Sequence, residues 1–505
     1  MKIKVLTGVP GGGKSRAVHN EILSTPALYL LALPRTDLID EFVLDLERSA
    51  EERGMPLIVA PIHSKQAVKG RNVHRRVLDA LACKEIEDHR VILVTHETLL
   101  TLNPTHLVGV HVRIDENPDG SVLSGEFHGK TGSHLLDHHF ILEPLEDGSP
   151  CSLLRPRSGV EPVTPAAYKG AAPDITILLK AASNQNRSVL VNVNSWDQAR
   201  ITGRRVRWWS IWTPMELDSA ASVQIAAAGF RGGLLARACG KLYGDNLAIE
   251  YVNVANRALR ANPAIRVHYF TEHRGSTTWW TSDEGSLNLV RISEHLTKIG
   301  FAGYWSCNHE VRLLLIHRFG GDACAPRQAG TNSLRHHKSC AFIYSNKAQA
   351  ADSAILDFLD LDSNTITHVR ENEDIAQFVM RGAIRNPSYD GTYDIYLYDR
   401  HQAEALRDYL IENVVSDLVE LIPVDEAGLM DMKRPLPFGR GEGGWQTSAL
   451  TPEERRQRDL EADRLRKRKT READREQLVA AGTPPKRGRP PKNRAASLGV
   501  AAYSA

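Results

Sequence analysis

The chain has 505 residues, 42% of them hydrophobic and 25% charged, with a formal net charge of +2. That is length for roughly three ordinary domains and a globular composition, which excludes a chain that is disordered or membrane-embedded throughout. No run of about 18 uncharged apolar residues occurs, and the glycines from Gly8 leave no room for a signal peptide. The six cysteines (Cys83, Cys151, Cys239, Cys307, Cys324, Cys340) are scattered without metal-ligand spacing, so a cytoplasmic protein with reduced thiols is expected.

In chain order, apolar runs predict strands at Lys2–Thr7, Ala27–Leu33, Leu57–Ile62, Val91–Thr95 and Leu107–Asp115. Helical patterns lie between them, at Thr36–Arg53 and Val73–Glu87. Such alternation predicts an α/β fold with a largely parallel, doubly wound sheet. From Asn117 to about Arg204 the pattern loosens into an insertion, which places a first lobe at 1–240. A second alternating region predicts strands at Val223–Ala227, Ile265–Tyr269, Gly303–Ser306, Cys340–Tyr344, Thr365–Arg370 and Tyr393–Tyr398. Its helices are expected at Ser353–Leu359, Asp374–Ile384 and Arg400–Ser416, with the second lobe spanning 241–435. Residues 436–505 read as a Gly-rich linker, a charged helix over Thr451–Leu478 and a Pro/Lys/Arg segment. Between Pro452 and Arg494 fifteen Lys and Arg face eight Asp and Glu, a net of +7 against about −5 for the rest. A basic tail on a mildly acidic body suggests a polyanionic partner; a solvated charged helix is the alternative.

Gly8-Val9-Pro10-Gly11-Gly12-Gly13-Lys14-Ser15 matches the Walker A phosphate-loop pattern G-x-x-x-x-G-K-[ST] at every fixed position. Gly8, Gly11, Gly12 and Gly13 let the backbone wrap its N–H groups around a phosphate at the start of a helix. Lys14 supplies a mobile charge, and the Ser15 hydroxyl a Mg²⁺ ligand, so ATP and Mg²⁺ are the expected cofactors. Phosphoryl transfer also needs a carboxylate for the metal and a group to orient water. Asp115 and Glu116, at the end of a strand, fit those roles, although His111 and Arg113 interrupt an otherwise apolar strand. In the second lobe Gln377, Arg381 and Arg385 would fall near one helix face, where guanidinium groups can meet a γ-phosphate across a cleft.

These motifs, in this order, resemble superfamily-two helicases of the DEAD/DEAH type, such as those of phages or mobile elements. The resemblance implies two RecA-like lobes with ATP hydrolysed between them and catalytic roles for Lys14, Asp115, Glu116, Gln377, Arg381 and Arg385. It further implies a nucleic-acid contact at Pro34-Arg35-Thr36 and another at Thr95-His96. Gly330-Thr331-Asn332-Ser333-Leu334-Arg335 resembles the turn that touches both nucleotide and strand. The family spaces its second arginine three residues after the first; here the gap is four.

Pro485-Lys486-Arg487-Gly488-Arg489-Pro490-Pro491-Lys492 resembles an AT-hook, in which Arg487, Gly488, Arg489 and Pro490 would lie in an A·T minor groove. DNA is therefore the expected partner, together with replication or recombination proteins, and no membrane. His134, His138 and His139 with Asp137 read as surface histidines, and Trp208, Trp209, Trp212, Trp279 and Trp280 as packing rather than base-stacking groups. The expected function is an ATP-dependent DNA helicase or translocase. The alternatives are a phage packaging-type ATPase with a nuclease lobe, and a DNA-binding scaffold with a vestigial nucleotide site.

Overall fold

The computed structural model describes residues 1–432, apart from 67–71, 84–88, 119, 129–136, 146–150, 162–172, 193–195, 197–202, 204, 255–259, 317, 327–332 and 348–352. The chain divides into Met1–Arg434 and Pro435–Ala505, and the second unit, with the predicted tail elements, lies outside the described residues.

The first strands are β1 (Lys2–Thr7), β2 (Leu28–Leu33), β3 (Ile58–Pro61), β4 (Arg90–Thr95) and β5 (His111–Asp115). Between them run helices α1 (Lys14–Ser24), α2 (Thr36–Glu52), α3 (Val73–Ala82) and α4 (His96–Thr101). The insertion follows as β6 (Val122–His128), β7 (Phe140–Pro144), β8 (Cys151–Pro156), α5 (Pro173–Ala182), β9 (Ser188–Asn192) and β10 (Arg205–Ile211). The chain then returns through β11 (Ser222–Ala226), α6 (Leu234–Tyr243) and β12 (Ala248–Asn253). The first sheet is ordered β12-β1-β11-β5-β2-β4-β3 and all its pairs are parallel. It therefore runs to Asn253, beyond the expected boundary at 240. Val223–Ala227, grouped by the alternation with the second region but lying within 1–240, pairs between β1 and β5 in the first sheet.

Arg113 does not disrupt β5. Its guanidinium is 2.7 Å from Glu21 of α1 and 3.0 Å from the Ser222 hydroxyl, and Gln224 donates to the other Glu21 oxygen at 2.9 Å. A buried charge is tolerated only when paired and hydrogen-bonded, and this network satisfies both conditions while tying α1 to two central strands.

The insertion is an antiparallel sheet ordered β6-β10-β9-β8-β7, so it extends to Ile211 rather than stopping near 204. Trp208 packs on one face with Phe127, Leu178 and Val206. On the other face Trp209 and Ile211 pack with Ala238 of α6 and with Ile355, Phe358 and Leu359. Those last three belong to the second lobe, so the insertion bridges both lobes. Trp212, Trp279 and Trp280 are also buried in cores, as expected from their residue type.

The second lobe contains β13 (Ala264–Thr271), α7 (Asp283–Lys298), β14 (Tyr304–Cys307), β15 (Asp322–Ala323) and β16 (Ser339–Ile343). After these come α8 (Ser353–Phe358), α9 (Glu373–Val379), β17 (Thr392–Asp399), α10 (Arg400–Glu412) and β18 (Val419–Pro423). Its sheet, β15-β14-β16-β17-β13-β18, is again wholly parallel. The protein is thus an α/β chain of two RecA-like lobes. The predicted strand at Thr365–Arg370 is helical instead. Its β-branched residues suggested extension, but the Asp362 carboxylate accepts the Thr365 N–H at 2.6 Å and starts a helix there.

The helix expected over Asp374–Ile384 also ends early, at Val379. Buried Tyr304 donates its hydroxyl to the Phe378 and Val379 carbonyls at 2.7 and 3.0 Å, and Tyr393 donates to Val379 at 3.3 Å. These hydroxyls share the two carbonyls with the Arg381 and Gly382 N–H groups, which bond back three residues, at 3.1 and 3.5 Å, instead of the four of a continuing α-helix. Arg381 and Arg385 therefore follow the helix in a turn and a short 3₁₀ segment, Ala383–Arg385, instead of sharing one face with Gln377. Gly382 is required between them, because a Cβ there would lie 2.0 Å from the Tyr393 hydroxyl.

Candidate functional site

The loop after β1 turns through left-handed backbone at Gly11 (φ 78°) and Gly13 (φ 94°), which side chains other than hydrogen disfavour. The Gly12 N–H donates to the Val9 carbonyl at 2.9 Å, and a Cβ at Gly12 would come equally close to that oxygen. Gly13 caps α1 without a side-chain hydrogen bond, and no acidic residue stands in the first turn. The free N–H groups and positive end of α1 thus face whatever the loop holds. Lys14 is buried, and its Nζ donates to the Gly8 and Val9 carbonyls at 2.9 and 3.0 Å. Burial lowers its pKa, while Glu116 and Asp115 oppose that shift.

Asp115 ends β5 beside this loop. Ser15 donates its hydroxyl to Asp115 Oδ1 at 2.7 Å. Burial, and then the neighbouring Glu116 charge, pushes the Asp115 carboxyl up to about 6. A hydroxyl and a carboxylate at this separation form a hard-oxygen pair suited to Mg²⁺. Glu116 has φ 68°, an unusual conformation for a residue with a Cβ, and its N–H donates to the Ala226 carbonyl at 3.0 Å. His96 Nε2 lies 2.9 Å from the Asp115 carbonyl and its ring is 2% exposed. The resemblance implied a nucleic-acid contact at Thr95-His96; the His96 side chain itself is buried and supports Asp115 from beneath. Thr95 caps α4, accepting the Thr98 N–H at 3.4 Å. Pro34 and Arg35 are half-buried at the end of β2, where Arg35 pairs with Asp37 at 3.3 Å.

The second lobe brings its arginines to this loop. A Cβ on Gly11 would lie 2.9 Å from Cγ of Arg385, so that side chain crosses the lobe boundary onto the glycine turn. Burial and then the Arg381 charge lower Arg385 to about 10. Arg381 is 3% exposed, and its Nη2 is buried without a hydrogen-bond partner among the described residues. Burial lowers its pKa, and the Glu116 charge opposes that shift most strongly. Arg381 also acts electrostatically on Lys14 and Asp115, so all four charges share one site. Gln377 donates to Glu373 at 3.2 Å.

Glu373 has no counterpart among the expected residues. Its carboxylate lies so close to Gly229 that a Cβ there would fall 1.6 Å from Oε2. Burial, then Glu116, pushes Glu373 up to about 7. The accompanying turn, Ala228-Gly229-Phe230-Arg231-Gly232-Gly233, joins β11 to α6 and repeats the strand–glycine–helix order of the phosphate loop. That repetition was the available clue to it. A cavity of about 980 Å³ lies between the lobes, with Gly8, Gly12, Arg231, Arg237, Arg260 and Gln377 among its walls. That size suits a small-molecule ligand. Ser333 to Arg335 are described, but Gly330, His134 and Arg487 to Pro490 lie outside the described residues. No described helix is long and apolar enough to cross a membrane, and all six cysteines are free thiols.

The architecture is that of a two-lobed α/β protein with a glycine loop facing arginines across a cleft. No family model matches the chain, and no curated protein matches its sequence. Among solved structures it is similar to an apo XPD at 9% identity, covering 84% of this chain and 97% of that one, with a TM-score of 0.48. It is also similar to Xpd4 of S. tokodaii at 12% identity, with 83% and 96% coverage and a TM-score of 0.44. S. cerevisiae Dbp5 bound to RNA and ADP BeF3 follows at 10% identity, with 85% and 86% coverage and a TM-score of 0.36. What the site can do chemically follows from its own side chains.

Proposed function

We propose that this chain is an ATP-hydrolysing motor of the helicase or translocase type that acts on DNA. The observation that carries the proposal is the seating of Arg385 against Gly11, with Arg381 among Lys14, Asp115 and Glu116. Two cations from one lobe thereby face the glycine loop of the other, as charge developing on a transferred phosphoryl group requires. In this reading the loop N–H groups and Lys14 hold the β- and γ-phosphates. Ser15 and Asp115 hold Mg²⁺, which when bound neutralises phosphate charge. Glu116 orients the water that attacks the γ-phosphorus as the bond to ADP breaks, while Arg381 and Arg385 stabilise the departing charge. Gln377 and Glu373 line the same cleft from the second lobe. Gly330 would approach the nucleotide, Pro34 and Arg35 a nucleic-acid backbone, and Arg487 to Pro490 an A·T-rich minor groove.

The test is ATP turnover measured alone and with single-stranded DNA, duplex DNA and RNA. DNA is expected to stimulate turnover most, and Lys14→Ala to reduce it at least a hundredfold. Absence of turnover under every condition would support the scaffold alternative, and metal-dependent DNA cutting the packaging alternative. Normal turnover in Lys14→Ala would remove the loop from the mechanism.

A further inference from the structure

Behind the arginine segment, β15 forms the outer edge of the second sheet and lies beside the turn at residues 333–338. Asp322 on that strand is exposed, while His337 in the turn is 9% exposed with Nε2 2.9 Å from Asp322 Oδ2. The inner side of the His337 ring rests near Tyr304, with centroids 5.6 Å apart. His336 is exposed, and its ring lies 3.9 Å from that of His337 at an interplanar angle of 37°. One ligand atom from each of Asp322, His336 and His337 lies within 4.8 Å of the others.

Two features distinguish this cluster from a simple ion pair. His336 Nδ1 is 2.9 Å from the Ser333 carbonyl, which only accepts, so Nδ1 carries the proton. In the neutral ring the lone pair is then on Nε2. A backbone carbonyl that fixes the tautomer in this way is the usual support of a metal-bound imidazole. The second feature is a consecutive histidine pair converging on one carboxylate, when a single histidine suffices for a salt bridge. Two imidazoles and a carboxylate suit zinc, with water filling the fourth position of a tetrahedron. At metal–ligand distances of roughly 2.0–2.2 Å the donors would stand about 3.4 Å apart. Small shifts of the exposed Asp322 carboxylate and of the exposed His336 ring, which keeps its Nδ1 bond to the Ser333 carbonyl, close that difference.

We propose that Asp322, His336 and His337 form a zinc-type divalent cation site that fixes the turn behind the arginine segment. The turn has a direct connection to the nucleotide cleft. The Ala383 N–H donates to the His337 carbonyl at 2.9 Å, so the 3₁₀ segment ending in Arg385 hangs from this residue. Arg335, in the same turn, acts electrostatically on Arg385. A cation joining the turn to β15 therefore holds the platform from which Arg385 reaches Gly11. The proposal does not depend on ATP hydrolysis, because it is read by metal binding.

The experiment uses the full chain, stripped with a chelator and titrated with Zn²⁺ against a chromogenic competitor, then with Co²⁺ followed by visible absorption. One equivalent of Zn²⁺ is expected at micromolar affinity or tighter, with a Co²⁺ spectrum of low coordination number. His336→Ala and Asp322→Asn should each weaken that equivalent at least tenfold, while Lys338→Ala should not. The exposed positions of Asp322 and His336 leave the metal-free melting temperatures of these variants near wild type. Zinc should then raise the melting temperature of the wild type and not of the variants. Failure to bind an equivalent, or binding with unchanged affinity in both His336→Ala and Asp322→Asn, would overturn the site.

Discussion

Arg385 and Gly11 constrain each other across the cleft. The glycine is needed both for its left-handed backbone and for the space that Arg385 occupies. Replacing Arg381 or Arg385 by Ala should reduce ATP turnover about a hundredfold or more, and Lys should not restore Arg385, since an ammonium lacks the planar fork. Steady-state turnover at saturating ATP decides this, and near-normal rates in both Ala variants would remove the arginines from catalysis. Glu373 makes a different prediction. Its folded pKa of about 7 lies above the ordinary 4.5, so the unfolded chain ionises first as pH rises. The fold loses stability between those two values, and the loss is complete above about 7. Glu373→Gln should therefore melt higher than wild type at pH 8, by on the order of 2 °C, with the gap closing near pH 5. A gap independent of pH would mean that Glu373 does not titrate in this range. The phosphate loop was legible in the sequence because eight consecutive residues dictate its chemistry. Glu373 was not, because its meaning depends on Gly229, which lies far away along the chain.

The same distinction holds for whole elements. Strands β2, β4 and β17 follow their apolar runs closely, since a strand buried on both faces has little other reason for such a run. Arg113 read as an interruption of β5 because its partner Glu21 is 92 positions away. Glu21→Ala should accordingly cost about 3 kcal/mol by leaving a buried guanidinium unpaired, and Glu21→Ala with Arg113→Met should cost less. Urea unfolding of the three proteins checks this, and equal destabilisation by the single and double variants would refute it. The end of α9 was equally hidden. Its stop comes from the hydroxyls of Tyr304 and Tyr393 on other strands, and no local cap announces it. Regular spacing along an uninterrupted helix thus suggested a shared face for Gln377, Arg381 and Arg385 that the chain does not form.

At the scale of the molecule, two parallel sheets were legible from the alternation of elements, while the ends of the antiparallel insertion at Ile211 and of the first parallel sheet at Asn253 were not, because strand pairing sets them. The basic segment beyond the second lobe makes its prediction at this scale. Deleting 452–505 should weaken DNA affinity and flatten its dependence on salt, because fewer counterions are released, while basal ATP turnover is retained. Loss of basal turnover in that deletion would mean that the segment belongs to the motor itself. The insertion has a mechanical consequence. Trp209 and Ile211 meet Phe358 and Leu359 in a dry contact to one side of the cleft. Drawing the lobes straight apart would wet that surface at a cost of several kcal/mol, whereas turning about it leaves it dry. The cheapest opening is therefore a swing, like a book held at its spine, with the widest gap at the edge opposite the insertion.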